Sequence, residues 1–366
     1  MTAEHIDASK TNGIATGRKT GSSVSRGFNV SWLDRLLSRR LIFVMGKGGV
    51  GKTTVSVILA NIAERMNKKV LLVELGDTDS IGRLYRGQPL TEVPCQLSQS
   101  IWGARVNSKA ELQAYVRAHV VPKFIAGKII RSRLFEYLFE AAPGLKEVMS
   151  LGRLWRWEKE EATLSGSDIS GSDISGPDIS GPTFDLILVD APATGHALSL
   201  LRLPELLINM IRVGPLANQI KGLQRLFKNH QKTSLVLVSL PEELPVNETI
   251  EFYSMAKEIL DMPVAATFIN CVYPSVFSQS ELKQFESIKT TFLNRSFAPE
   301  NLLIASAERL IRRNSFQKNH MKKIYEKSDS QVLSIPFRFT NDLTLSEIRE
   351  LSLDIQRLSN PSEDRL

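Results

Sequence analysis

Leu41-Ile42-Phe43-Val44-Met45-Gly46-Lys47-Gly48-Gly49-Val50-Gly51-Lys52-Thr53-Thr54 runs from an apolar stretch into a glycine-rich loop and out into helix-forming sequence. The frame from Gly46 to Thr53 is the pattern G-x-x-x-x-G-K-[ST]. In it, backbone N–H groups cradle phosphates, Lys52 reaches the β- and γ-phosphates, and the Thr53 hydroxyl binds Mg2+. Side chains at Gly46, Gly48, Gly49 and Gly51 would block close backbone approach or forbid positive φ. The following stretch, about Lys52 to Asn67, carries Val55, Ile58, Leu59, Ile62 and Ala63 at helical spacing. Its N-terminal partial positive charge favours an anion. A strand before the loop and a helix after it are the context that such a loop requires. Lys47, second in the motif, adds a further lysine to the same loop.

Other strand-like runs recur at intervals: Val70 to Leu75, Phe184 to Val189, Leu235 to Leu240, Ala265 to Val272 and Gln331 to Ile335. Their near-continuous apolar character predicts strands buried on both faces. Alternation with helical stretches predicts an α/β fold, a mostly parallel doubly wound sheet. The gap between the second and third runs exceeds a hundred residues, far beyond an ordinary connection, so it holds an inserted helical subdomain over about 105–162. Pro122 and Pro143-Gly144 divide the apolar periodicity of Lys109 to Lys159 into about three helices. Those apolar residues either form a core or line a groove beside the phosphate site. The repeat GSDIS, GSDIS, GPDIS that follows is too short and polar for a core and reads as a flexible loop over 165–183. The intended organisation is thus a disordered basic arm over 1–38, the main domain over 39–358, and a tail over 359–366.

The chain has 366 residues and a formal charge of +7, with seven basic against three acidic residues in the first forty. Such an arm is a solvated tail or a contact for anionic partners, with no specific nucleic-acid partner expected. A second basic cluster, Arg309 to Lys327, is interleaved with Ile311, Phe316, Ile324 and Tyr325 and reads as an amphipathic surface helix. No apolar run reaches membrane-spanning length and no signal core opens the sequence. Cys95 and Cys271 are too few for a disulfide framework, which points to a reducing cytoplasm.

Asp190 ends the third apolar run within Asp190-Ala191-Pro192-Ala193-Thr194-Gly195-His196. A carboxylate at the end of a buried strand near the loop is placed to hold Mg2+, or else caps the next helix. Gly195 is a candidate hinge; His196 either orients that segment or is structural. After the second run, Gly76-Asp77-Thr78-Asp79 offers carboxylates that could orient a water, Asp77 first and Asp79 second; both could instead cap or solvate a loop. Asn270 ends the fifth run, and its amide suits the edge of an adenine base. The candidate nucleotide contacts are Gly46, Gly48, Gly49, Val50, Gly51, Lys52, Thr53, Thr54 and Asn270, with Thr53 and Asp190 on Mg2+.

Taken together, GKGGVGKTT, DAPATGHALSLLRLP and FINCVYPS resemble the ArsA-type ATPases over roughly residues 41 to 358. The resemblance implies an ATP- and Mg2+-dependent homodimer in which Lys47 reaches the partner's phosphates. Lys47, Lys52, Asp77 and Asp190 are then the catalytic set, and the helical insert with residues 197 to 228 changes shape with nucleotide state. A hydrophobic or membrane-protein client is the implied partner. Three departures stand out. Gly76 falls where the family's first switch places its aspartate, the zinc-binding CxxC pair is absent, and so is the arsenite-sensing cysteine cluster. Alternatives are a nucleotide-dependent scaffold with little hydrolysis and a MinD/ParA-like positioning ATPase.

Overall fold

The computed structural model describes residues 31–75, 79–119, 123–142, 144–164, 183–275, 277–292, 300–340 and 342–359. Helix α1 (Trp32–Leu37) precedes β1 (Leu41–Gly46), α2 (Lys52–Arg65), β2 (Val70–Leu75), α3 (Ser80–Arg86), β3 (Cys95–Gln96) and β4 (Ile101–Val106). Four helices follow: α4 (Ser108–His119), α5 (Lys123–Ile130), α6 (Arg133–Ala141) and α7 (Leu145–Leu164). The chain returns through β5 (Leu186–Asp190), α8 (Thr194–Ile208), α9 (Pro215–Phe227), β6 (Thr233–Ser239), α10 (Glu243–Glu258) and β7 (Val264–Val272). It ends with α11 (Gln279–Phe292), α12 (Glu300–Lys327), β8 (Gln331–Pro336) and α13 (Leu345–Ser359).

The strands form one sheet in the order β3-β4-β2-β5-β1-β6-β7-β8. All neighbouring pairs are parallel except β3 with β4 at the edge. Side chains of successive strand residues point to opposite faces, and the core divides accordingly. Ile42, Val44, Val70, Leu72, Leu186 and Leu188 pack against α1, α2 and α13. Leu41, Phe43, Met45, Leu71, Val73 and Ile187 pack against α7, α8, α9 and α10. Burial on both faces explains why these strands are mostly apolar, with Glu74 in β2 and Asp190 at the end of β5 as the charged exceptions.

The expected doubly wound parallel sheet is therefore the one observed, with two differences at its edge and start. Strands β3 and β4 were not anticipated. Ile101-Trp102-Gly103-Ala104-Arg105-Val106 is short and interrupted by Gly and Arg, so the helical reading of the long connection absorbed it. The helical stretch accordingly begins at Ser108 and holds four helices. The second difference corrects the basic arm expected over 1–38. Residues 32–37 form α1, capped by a reciprocal Ser31–Asp34 box, with Leu33, Leu36 and Leu37 buried. Three leucines at helical spacing supply burial that the preceding polar residues lack. Residues 1–30, the repeat at 166–182 and residues 360–366 lie outside the described residues, while Ser359, expected to start the tail, is the buried last residue of α13. Replacing Leu36, 1% exposed, with alanine is expected to lower unfolding stability by about 2–4 kcal/mol in urea titration. An unchanged midpoint would show that α1 belongs to the arm after all.

In the insert, Leu112, Phe135, Phe139, Val148 and Met149 build a small core with Ile220 of α9. Phe124, Leu134 and Tyr137 on α5 and α6 are exposed. The core reading therefore describes part of the insert, and these three side chains lie outside that core.

Candidate functional site

The loop Gly46–Thr53 leaves the carboxyl end of β1. From β1 the chain crosses through α2 to β2 on one side, while β5, its neighbour, leads to β6 on the other. Doubly wound sheets bind ligands at such a reversal of strand order. Two glycines are fixed by geometry. A Cβ on Gly46 would fall on the carbonyl oxygen of Val238 in β6. Gly51 has φ 93° and lies against the Asn270 amide. Gly48 does not take a positive φ, and a Cβ there would meet no protein atom beyond its chain neighbours within 4 Å. With Gly49 it lies exposed at the crest of the loop, while Val50 is buried beneath.

Gly51 is the N-cap of α2 and contributes no side-chain cap. The first-turn N–H groups at Lys52, Thr53 and Thr54 are therefore left for an anion. Lys52 Nζ donates to the Lys47 carbonyl at 3.2 Å. Burial lowers the Lys52 pKa, and the Asp190 carboxylate opposes that shift. Lys47 Nζ lies 3.2 Å from Glu248 Oε1 on α10, both side chains about one-third exposed.

Beneath the loop, Thr53 Oγ1 donates to Asp190 Oδ2 at 2.5 Å. Asp190 Oδ1 is buried with no hydrogen-bond partner. Burial raises this carboxyl to about 6, against the opposing pull of the Thr53 hydrogen bond and the Lys52 charge. The Thr53 hydroxyl and the Asp190 carboxylate are hard oxygen donors, the kind a hydrated Mg2+ takes in ones and twos alongside substrate phosphates. The unpartnered Oδ1 fits such an ion.

Asn270 is brought to the loop by an irregular end of β7. Its pairing with β8 shifts between Ile269 and Val272, and Cys271 adopts φ 56°. A left-handed non-glycine residue costs roughly 1–2 kcal/mol. The Asn270 Nδ2 donates to the Val50 carbonyl at 2.9 Å, so the amide braces the loop from below. Asp77 lies outside the described residues. Asp79 starts α3 and is paired with Arg105 at 2.7 Å and Arg83 at 3.9 Å. Gly195 sits exposed in the first turn of α8.

Glu74 was missed by sequence reasoning. It is wholly buried on β2, register-paired with Asp190 on one side and Arg105 on the other. Its Oε1 accepts from the Ile81 N–H at 2.6 Å, and its Oε2 has no partner. Burial, more than any neighbouring charge, pushes its carboxyl up to about 7. The signal was present: one acid in a six-residue strand otherwise made of Val and Leu. A charge is seldom placed there without a partner.

The chain is similar to several known ATPases. ATPase BagA of Mycobacterium tuberculosis is 29% identical over 70% of this chain and 72% of its own length. Putative arsenical pump-driving ATPase 2 of Aquifex aeolicus is 25% identical over 69% of this chain and 87% of its own. ATPase ASNA1 homolog 2 of Paramecium tetraurelia is 26% identical, with 75% and 71% covered. The profile of the family described as anion-transporting ATPase, ArsA type, matches residues 39–355, from the entry to β1 into α13. That span includes every element bearing on the loop, and the chain is accordingly an ATPase belonging to the ArsA family.

Proposed function

We propose that this ATPase binds ATP with Mg2+ on the loop Gly46–Thr54, hydrolyses it as a homodimer, and couples nucleotide state to a hydrophobic or membrane-protein client. The observation that carries the reading is the Thr53–Asp190 pair with its unpartnered Oδ1 directly under the loop. Thr53 and Asp190 would hold Mg2+, which supplies charge neutralisation on the phosphate oxygens. Lys52, partly buried at the start of α2, would set its positive charge against the β- and γ-phosphates. Asn270 has its Nδ2 committed to Val50, which leaves Oδ1 to accept from an adenine amine. Asp77 is the proposed residue for orienting the attacking water.

The homodimer rests on Lys47. Both side chains of its contact with Glu248 are about one-third exposed, and such pairs contribute under about 1 kcal/mol. Lys47 is therefore free to leave Glu248 for a partner's phosphates. The client reading draws on exposed Phe124, Leu134 and Tyr137 in the insert and on Met210 and Val213 after α8. Among the described residues, no helix is long and apolar enough to cross a membrane. A cytoplasmic site of action is part of the same proposal.

A second reading, a scaffold that binds ATP and hardly turns it over, is favoured by Gly76 in place of the family's switch aspartate. Steady-state phosphate release across a protein-concentration series separates the two. Specific activity is expected to rise with concentration in wild type and to drop by about a thousandfold or more in Lys47→Ala, the lower end of the scale for a charge supplied in trans. Concentration-independent turnover unaffected by Lys47→Ala would remove the homodimer, and absence of turnover alongside tight ATP binding would favour the scaffold.

A further inference from the structure

Glu74 is a second buried carboxylate that the reading above leaves without a task. It lies one strand from Asp190, at the register-paired position, so both side chains emerge on the face covered by α2. Neighbouring strands are about 4.8 Å apart. Each carboxylate has one oxygen satisfied within the protein, Asp190 by Thr53 and Glu74 by the Ile81 amide. Each has the other oxygen buried and unpartnered. Two orphaned carboxylate oxygens side by side in a nearly dry site are costly on their own. A cation with bound water satisfies both at once.

We propose that Glu74 is a positioning residue of the Mg2+ site: its Oε2 accepts from water held by the ion that Thr53 and Asp190 bind, while its Oε1 stays on the Ile81 amide and ties α3 to the metal. A carboxylate one strand away suits this indirect role, because Mg2+ dehydrates reluctantly and keeps several waters. The Ile81 bond gives the role a consequence. Helix α3 begins just after the segment 76–78, where the family's first switch is read, so Glu74 links the metal to that segment's far end. It supplies a carboxylate close to the site that Gly76 leaves without one. Arg105, register-paired with Glu74 on the other side, bridges to Asp79 at 2.7 Å and anchors the same end of α3.

The inference rests on the proposed Mg2+ site, and its test keeps the two apart. Wild type, Glu74→Gln and Glu74→Asp are titrated with Mg2+ in the presence of fluorescent ADP, starting from EDTA. Glutamine keeps an oxygen for the Ile81 amide, but it loses the charge and puts an NH2 donor where Oε2 would accept from the metal's water. Partners in a metal's outer shell typically contribute 10- to 100-fold in metal affinity. The Mg2+ concentration at half effect is expected to rise about 10- to 100-fold in Glu74→Gln, with ADP affinity in EDTA within about twofold of wild type. Hydrogen exchange at the first turn of α3 is expected to slow on adding Mg2+ and ADP in wild type and not in Glu74→Gln. Glu74→Asp, too short to keep both contacts, is expected to show the metal defect as well. An unchanged Mg2+ midpoint in Glu74→Gln would overturn the inference and leave the Mg2+ site standing. Loss of ADP binding in EDTA would overturn it too, in favour of a structural role. No Mg2+ dependence in wild type would overturn both.

Discussion

Lys52→Ala is expected to lower the rate of ATP hydrolysis by about 10²- to 10³-fold, the scale for removing one preorganised donor from a developing charge. The ammonium acts from a half-buried position at the start of α2, where burial disfavours its charge and Asp190 offsets part of that. Water cannot substitute in that position without the electrostatic advantage of a fixed, desolvated cation. Removing the side chain also frees the Lys47 carbonyl, which Lys52 holds at 3.2 Å, so the loop loses an internal brace. Lys52→Arg is the informative control. A planar fork does not reproduce a compact ammonium on a flexible stem, so little recovery is expected. Phosphate release at saturating ATP measures both variants. Retention of more than about a third of wild-type turnover by Lys52→Ala would place the chemistry elsewhere.

Asp190→Asn is expected to have two effects of opposite sign. Turnover should fall by about a hundredfold or more, because the amide keeps the Thr53 hydrogen bond and cannot neutralise a divalent cation. Stability of the metal-free protein should rise. A carboxyl raised from an ordinary 3.8 to about 6 stabilises the fold fully below about pH 4, and that contribution is lost as pH rises through 6. Above pH 7 the buried charge therefore costs about 3 kcal/mol at most, by the worth of two pKa units. Asparagine removes that cost and introduces an unpaired N–H of its own, so a net gain of about 1–2 kcal/mol is expected at pH 8 in EDTA. The gain should vanish near pH 4. Glu74 follows the same linkage over a window reaching about 7. Urea titrations at pH 4, 6 and 8 read the sign directly. A variant less stable than wild type at pH 8 would mean that the Asp190 charge is already compensated without metal.

The sheet was legible because burial on both faces forces continuous apolar runs, and Leu41 to Met45, Val70 to Leu75 and the later strands carry them. The loop was legible for a different reason. Gly46 abuts Val238 and Gly51 takes a left-handed φ against Asn270, and few residue types satisfy those constraints. Strand β4 was hidden because an edge-side strand with Gly103 and Arg105 lacks the apolar run that identifies its neighbours. Helix α1 was hidden behind its polar, basic leader. Of the site, Lys52 and Thr53 follow from motif spacing and Asp190 from its place at the end of a buried apolar run, and the structure brings all three together. Glu74 does not, since its significance lies in register with Asp190 across strands separated by more than a hundred residues. Asn270 was expected at a base edge, yet one half of its amide supports the loop backbone, a use that spacing alone does not reveal.

The most direct measurement is a crystal structure with Mg2+, ADP and aluminium fluoride. The phosphates are expected within the Gly46–Thr53 loop and Thr53 Oγ1 turned from Asp190 to the metal, with Asp190 in the metal's shell and Lys47 directed at a second copy's nucleotide. Nucleotide bound away from the loop, or a Thr53–Asp190 hydrogen bond persisting at 2.5 Å with no metal between loop and strand, would contradict that arrangement.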